Sequence, residues 1–451
     1  MTTIERLATF IAELEPANVD DSVLRAGRIH IFDTLCAAHV GARVADTVPV
    51  TKLVSSLGAS GEASVLGQPH RTTLPLAALL GCVATRCTEI DDIHMPSCTT
   101  PGSVVVPTAY ATASAGHARD DARFLAACLA GYEIVVRFGL AIDGARVLYR
   151  GIWPTYLAAG FGVAATVGKI IGLRTEQLAN ALAIASTLAV GTTGGRVGGL
   201  TSRWFTLGCA VQSATLACLA AACGMEGDVS LLDGRWSEIT GVRLDATLLT
   251  RGLGERFHIC EVSFKPICSA KQATAATYAL RSLLAEGTRP SEIARVLVEV
   301  PAAYAKMIDQ PELPGNRLAS IANVRYQLAL AAYAPERLSD AVREQLLAND
   351  QIAAFVEKIE VRADPELERY YPRAYPARVT LTLGSGAEKS REIRDAPGDP
   401  GTGFGWDEVA AKYPMLPSAV RDACSALGER GSVDALLQAL AGAFGVATPR
   451  D

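Results

Sequence analysis

The sequence predicts a mostly α protein: a large all-helical domain, interrupted late in the chain by an inserted α+β domain. Three observations carry this. From about residue 73 to 225 one apolar, Ala-rich run of helical length follows another, each ended by Gly or Pro. From about residue 260 the texture changes to β-branched alternation, as in Val296-Leu297-Val298-Glu299-Val300. After Asp395-Ala396-Pro397-Gly398-Asp399-Pro400 the helical pattern returns. The expected boundaries are 1–260 for the first helical part, 261–400 for the α+β domain and 401–451 for the helical remainder.

Taken in order, segments 4–14, 23–40 and 48–57 read as helices, and 62–66 as a short strand or turn. The Ala-rich runs that follow break at Pro101-Gly102, Gly116-His117, 151–154, Gly172 and 191–199. The run 204–225 is uncharged and long enough to span a bilayer, but Gln212, Ser213 and Thr215 favour a buried helix. Strands are expected at 296–300, 356–362 and 377–383, the last turning through Gly384-Ser385-Gly386-Ala387 into a hairpin partner at 389–393. Segments 318–333 and 338–348 read as helices between them, and 406–444 is helical again.

Composition narrows the function. Of 451 residues 49% are hydrophobic and 20% charged, enough apolar material for a large core with further surface to bury between subunits. Net charge is −5 and no basic block occurs, so nucleic acid is not an expected partner. The eleven cysteines contain no CxxC pair. They imply a reducing cytoplasm and no disulfide framework, and nothing in their spacing supports a metal or iron–sulfur site, so none is expected. The N-terminus lacks the order of a signal peptide, and no membrane association is expected.

The stretch richest in chemistry is Glu89-Ile90-Asp91-Asp92-Ile93-His94, with Thr99-Thr100-Pro101-Gly102-Ser103 close behind. Carboxylates, an imidazole and a tight turn between two apolar helices suit a proton-transfer site. The plainer reading is that Asp91 and Asp92 end one helix and cap the next. Gly151-Ile152-Trp153-Pro154-Thr155 is a Pro-fixed helix start holding an aromatic. A glycine-rich run, 194–199, precedes Leu200-Thr201-Ser202-Arg203, which sets Arg203 beside an anion-friendly helix start. Phe264-Lys265-Pro266-Ile267-Cys268-Ser269-Ala270-Lys271 places two cations among apolar neighbours, where desolvation can turn a lysine into a base. Tyr326 lies in an apolar helix and needs a partner or a cleft for its hydroxyl.

In this order the segments resemble the MmgE/PrpD family, which includes 2-methylcitrate dehydratase, cis-aconitate decarboxylase and iminodisuccinate epimerase. The resemblance begins at Ile31-Phe32-Asp33-Thr34-Leu35 and Ser64-Val65-Leu66-Gly67. It runs through the 89–94 motif, Gly131-Tyr132-Glu133 with Arg137, the 151–155 motif, Arg203, Phe264-Lys265 and Asn323-Val324-Arg325-Tyr326 to the Pro400 motif. It implies a discontinuous helical domain, an inserted α+β lid domain, a homodimer and an active site in the cleft between domains. It also implies chemistry at bonds next to a carboxylate of a small acid, with no cofactor.

The chain departs from the family at its histidines. Thr100 stands in the family's His-Pro-Gly or His-Pro-Ser motif, and Trp153 stands in its Gly-aromatic-His-Pro-Thr motif. Arg203 occupies the position of a family lysine. A further family histidine falls near Thr274, with Lys271 the nearest titratable group. The resulting expectation is a cofactor-independent lyase or isomerase with Asp91, His94, Lys271 and Tyr326 catalytic. Thr100, Trp153, Arg203 and Lys265 would bind a small carboxylate with fewer carboxylates, or a bulkier apolar part, than citrate-like acids. A non-catalytic, dimeric carboxylate-binding protein on the same fold is the alternative.

Overall fold

The computed structural model describes residues 1–117, 120–189 and 200–445. The chain divides into two compact units, Met1–Gly194 with Ser202–Val262 and Gly405–Asp451, and Gly195–Thr201 with Ser263–Phe404. The glycine-rich run expected at 194–199 lies outside the described residues.

The first unit is helical. Its helices include α1 (Thr3–Glu13), α2 (Asp21–Gly41), α3 (Val48–Ser56), α4 (Leu74–Arg86), α5 (Gly102–Thr112), α6 (Asp121–Ala141), α7 (Gly144–Val147), α8 (Pro154–Ile170), α9 (Thr175–Thr187) and α10 (Ser202–Ala222). Local chemistry sets several starts. Thr2 and Glu5 form a capping box on α1, Asp120 caps α6, and Pro sits in the first turn of α4 and α8. Helices α6 and α8 form the centre, with nearly every residue buried. Their small residues let them approach closely: a Cβ on Gly162 would come within 2.2 Å of Val135, and the Phe138 and Phe161 rings stack at 4.2 Å.

Both α6 and α10 are long and apolar enough to cross a membrane by length and composition alone. The burial of the two differs. Of the most apolar window of α6, 94% is enclosed by its neighbours, against 44% for α10. One face of α10 packs inward through Trp204, Leu207, Val211 and Cys218, while Leu216 on the outer face is 51% exposed. The segment expected as a short strand supplies Ala63–Ser64 (β1), which pairs antiparallel with Arg71–Thr72 (β2). Near the C-terminus the helical run divides into Trp406–Lys412, Ser418–Ser425 and Ser432–Phe444, broken at Pro417 and Gly431.

The second unit holds a four-stranded sheet of β3 (Ile293–Val300), β4 (Ile359–Ala363), β5 (Ala377–Leu383) and β6 (Glu388–Ile393) in the order β4-β3-β5-β6. Strand β3 runs parallel to β4, and β5 and β6 form the expected hairpin. Val296, Val298 and Val300 face the core, as alternation requires. The helix Lys271–Ala285 packs on this sheet.

Three expectations need correction. The strand expected at 356–362 starts at Ile359, because Asn349 caps a helix, Asp350–Val356, that uses up the first apolar residues. The helix expected at 318–333 is two helices, Arg317–Ile321 and Val324–Tyr333, because the Asn323 side chain caps a new start. Segment 338–348 holds a single short 3₁₀ turn, Glu344–Leu346, among turns and bends. There the buried Arg343 guanidinium donates to the carbonyls of Leu338 and Cys268, at 3.1 and 2.7 Å, and these tertiary bonds replace a helical register.

Candidate active site

The loop joining α4 to α5 carries the densest chemistry. It is bracketed by two residues in the left-handed region, Glu89 (φ 56°) and Cys98 (φ 53°), conformations that side chains rarely adopt and that the surroundings must enforce. Between them the His94 N–H donates to the Thr99 carbonyl at 2.8 Å. The His94 imidazole is 1% exposed. Its Nδ1 accepts the Ser97 backbone N–H at 3.2 Å and lies 2.9 Å from the Ser97 hydroxyl, which is 2.7 Å from the Thr99 hydroxyl. The loop rests on bare backbone. A Cβ on Gly144 would sit 1.9 Å from the Ser97 carbonyl oxygen, and one on Gly139 2.5 Å from Thr99.

The other face of His94 meets the 3₁₀ turn His258–Glu261. His94 Nε2 is 3.6 Å and His258 Nδ1 is 3.1 Å from the same oxygen of Glu261. Arg256 pairs with the other Glu261 oxygen. The Glu133 carboxylate anchors this turn by accepting the His258 N–H at 2.7 Å. Glu133 is itself held by Arg137 at 2.6 Å, and Arg137 donates on to the carbonyls of Arg251 and Gly252. The Gly131-Tyr132-Glu133 and Arg137 motif is thus a buried brace for the turn. Burial lowers the pKa of His94, only partly opposed by its contact with Glu261. The hydrogen bond from His258, and then the closeness of His94 at 3.6 Å, hold the Glu261 carboxyl well below the usual carboxylate range. The sequence offers no reason to expect a metal site, since its cysteines are scattered and His94 is the one histidine in its motifs. The fold changes that premise: the ligand atoms of His94, His258 and Glu261 lie within 4.8 Å of one another.

The neighbouring acids are committed to fixed partners. Arg86, buried at the end of α4, contacts Glu89 at 2.8 Å and Asp91 at 3.1 Å. Arg203, in the first turn of α10, reaches the other Glu89 oxygen at 2.6 Å. Both guanidinium groups lie against the rings of Trp153 and Trp204, with Arg203 3.9 Å from the centre of Trp204. Asp92 takes the plainer of its two expected roles. Its Oδ1 accepts the Gly102 N–H at the start of α5, and its Oδ2 accepts the Tyr132 hydroxyl and faces His30. Thr100 and the 151–155 motif meet directly, the Thr100 N–H donating to the Thr155 hydroxyl at 3.1 Å. The fold therefore gathers Asp91, His94, Thr100, Trp153 and Arg203 in the first unit.

Lys265, Lys271 and Tyr326 belong to the second unit. Lys265 is buried beside Phe264, whose N–H donates to the Gly398 carbonyl. Lys271, the first residue of its helix, is buried and ion-paired to Asp399 of the Ala396–Pro400 motif. Tyr326 is fully buried. No hydrogen-bond partner for its hydroxyl occurs among the described residues, and burial raises its pKa. Sequence reasoning missed Ser97, His258, Glu261 and Asp399. The spacing His258-Ile259-Cys260-Glu261 just before Phe264-Lys265 is the signal that would have found two of them.

Two family models match the chain. The model of the MmgE/PrpD N-terminal domain matches residues 5–243, and that of the MmgE/PrpD C-terminal domain matches residues 266–430. The chain is 28% identical over 203 residues to the cis-aconitate decarboxylase-like protein oryM of Aspergillus oryzae, covering 44% of this chain and 42% of that protein. It is 28% identical over 199 residues to a cis-aconitate decarboxylase of Aspergillus terreus, covering 43% and 40%. These matches span less than half the length of each relative.

Proposed function

The chain belongs to the MmgE/PrpD family, and on that premise we propose that it is a cofactor-independent lyase or isomerase acting next to a carboxylate of a small acid. The observation that carries this reading is the hydroxyl–imidazole–carboxylate series Ser97, His94 and Glu261. Burial keeps His94 neutral at neutral pH, the form a base needs. In the proposed step a carbon–hydrogen bond beside the substrate carboxylate breaks. The proton reaches His94 Nδ1 through the Ser97 hydroxyl, and the electron pair stays on the carbon next to the carboxylate. Glu261 then stabilises the imidazolium. Loss of a leaving group from the neighbouring carbon gives a lyase, and return of the proton to the opposite face gives an isomerase.

Arg203 and Lys265 are the proposed carboxylate contacts, and Trp153 and Thr100 are proposed to touch the substrate as well. Replacing imidazoles with an indole and a hydroxyl favours a substrate with fewer carboxylates, or a larger apolar part, than citrate-like acids. Tyr326 and Lys271 are the proposed partners for the second proton transfer.

The test is a panel of 2-methylcitrate, citrate, cis-aconitate, itaconate, iminodisuccinate and monocarboxylate analogues, followed by double-bond absorbance and solvent deuterium uptake. Turnover or exchange with at least one compound is expected, falling about 10²–10⁴-fold in His94→Ala. A chelator should not lower the rate. The pairing of Lys271 with Asp399 ties up a proposed proton-transfer group and favours a second reading, a carboxylate-binding protein without catalysis. Thermal stabilisation by these acids with no exchange in any of them would select it.

A further inference from the structure

We propose that His94, His258 and Glu261 form a binding site for a divalent transition-metal ion of the zinc type. The ligand atoms of the three residues lie within 4.8 Å of one another, and the two separations that involve Glu261 have the spacing of a metal site. Ligand atoms about 2.0–2.2 Å from a tetrahedral ion lie roughly 3.3–3.5 Å from one another. The Glu261 oxygen is 3.1 Å from His258 Nδ1 and 3.6 Å from His94 Nε2, which brackets that spacing. His94 Nε2 is buried, has no hydrogen-bond partner among the described residues and points into the cluster. Two nitrogens and one carboxylate oxygen are a donor set suited to zinc or cobalt, with a fourth position left for water.

The surroundings are those of a built site. Arg256 holds the second oxygen of Glu261, and Glu133 fixes the backbone of His258. Outer contacts of this kind orient ligands in metal sites. The ion enters from the side of His258 and Glu261, whose side chains are 16% and 33% exposed. Binding requires one proton rearrangement at His94. The tautomer that accepts the Ser97 N–H carries its proton on Nε2. On metal binding that proton moves to Nδ1, where the Ser97 hydroxyl at 2.9 Å accepts it, and the Ser97 N–H gives up its bond to that nitrogen. The ion then occupies the imidazole that the proposed reaction uses, so loading lowers turnover instead of supporting it.

The test is titration of chelator-treated, full-length protein with cobalt(II), read by visible absorption, followed by competition with zinc. One equivalent should give the strong ligand-field bands of a four- or five-coordinate ion, and zinc should abolish them. His258→Ala and Glu261→Gln should each weaken cobalt binding at least tenfold, while His117→Ala should leave it unchanged. Glu261→Gln keeps the size of the side chain, so it decides the matter if His258→Ala melts early. Absence of these bands, only the weak bands of a six-coordinate surface ion, or equal affinity in both ligand variants would overturn the proposal. The readout is independent of turnover, so it stands or falls separately from the lyase reading.

Discussion

At the scale of single residues the chemistry rests on which charges are already spoken for. His94 owes its neutrality to burial, and Glu261 pulls in the opposite direction. Glu261→Gln should therefore lower turnover and shift the acid limb of the pH–rate profile to still lower pH. An unmoved limb would show that Glu261 does not act on His94. The same group makes a stability prediction. Because its folded pKa is depressed, His94 contributes stability that is complete above about pH 6.5, the ordinary histidine value. That contribution is lost as pH falls below it toward the folded pKa. Urea unfolding at pH 7.5 and 5.5 should show this loss, and His94→Gln should reduce it. Glu89 bridges two buried arginines, so Glu89→Gln leaves excess positive charge in the core. Removing one partner of such a network costs about 3–5 kcal/mol, measurable by denaturant unfolding. Sequence reading found His94 from its motif. It did not foresee that Arg203 would share Glu89 with Arg86, because that pairing joins positions 89 and 203 through tertiary packing alone.

At the scale of elements, the loop between α4 and α5 is positioned by contact with glycine backbone. Gly144 opens the short helix α7, and a side chain there would strike the Ser97 carbonyl. Gly144→Ala should push Ser97 away from His94. Overpacking of this kind costs about 1–3 kcal/mol, and turnover should fall further than the loss of folded protein explains. Wild-type turnover in a stable Gly144→Ala protein would mean that the position of the loop is not critical. Helices bounded by Pro, Gly or a capping side chain were legible in the sequence, as α1, α4 and α8 illustrate. Segment 338–348 was not, because its backbone follows the side chain of Arg343 and not its own periodicity.

At the scale of the molecule, the change from Ala-rich runs to β-branched alternation was enough to read a helical unit and a small sheet unit. Charge and length patterns have no comparable power over assembly, and here α10 adds what they lack. A helix without charge after Arg203 and with an exposed apolar residue, Leu216, on its outer face leads us to expect a homodimer formed by the helical unit. Sedimentation at micromolar concentration should give twice the chain mass, and Leu216→Glu should give the single chain. A monomeric wild type would count against it.

The bond from the His258 amide to Glu133 joins segments 125 positions apart, and it is the clasp on which His258 and Glu261 depend. Its amide hydrogen is a clock for the assembly of the site. If that hydrogen exchanges with solvent much faster than amides in the centre of α6, the site opens as a separate unit while the helices stay folded. Chemistry would then fail on warming before the fold does, and inactivation would precede the main melting transition.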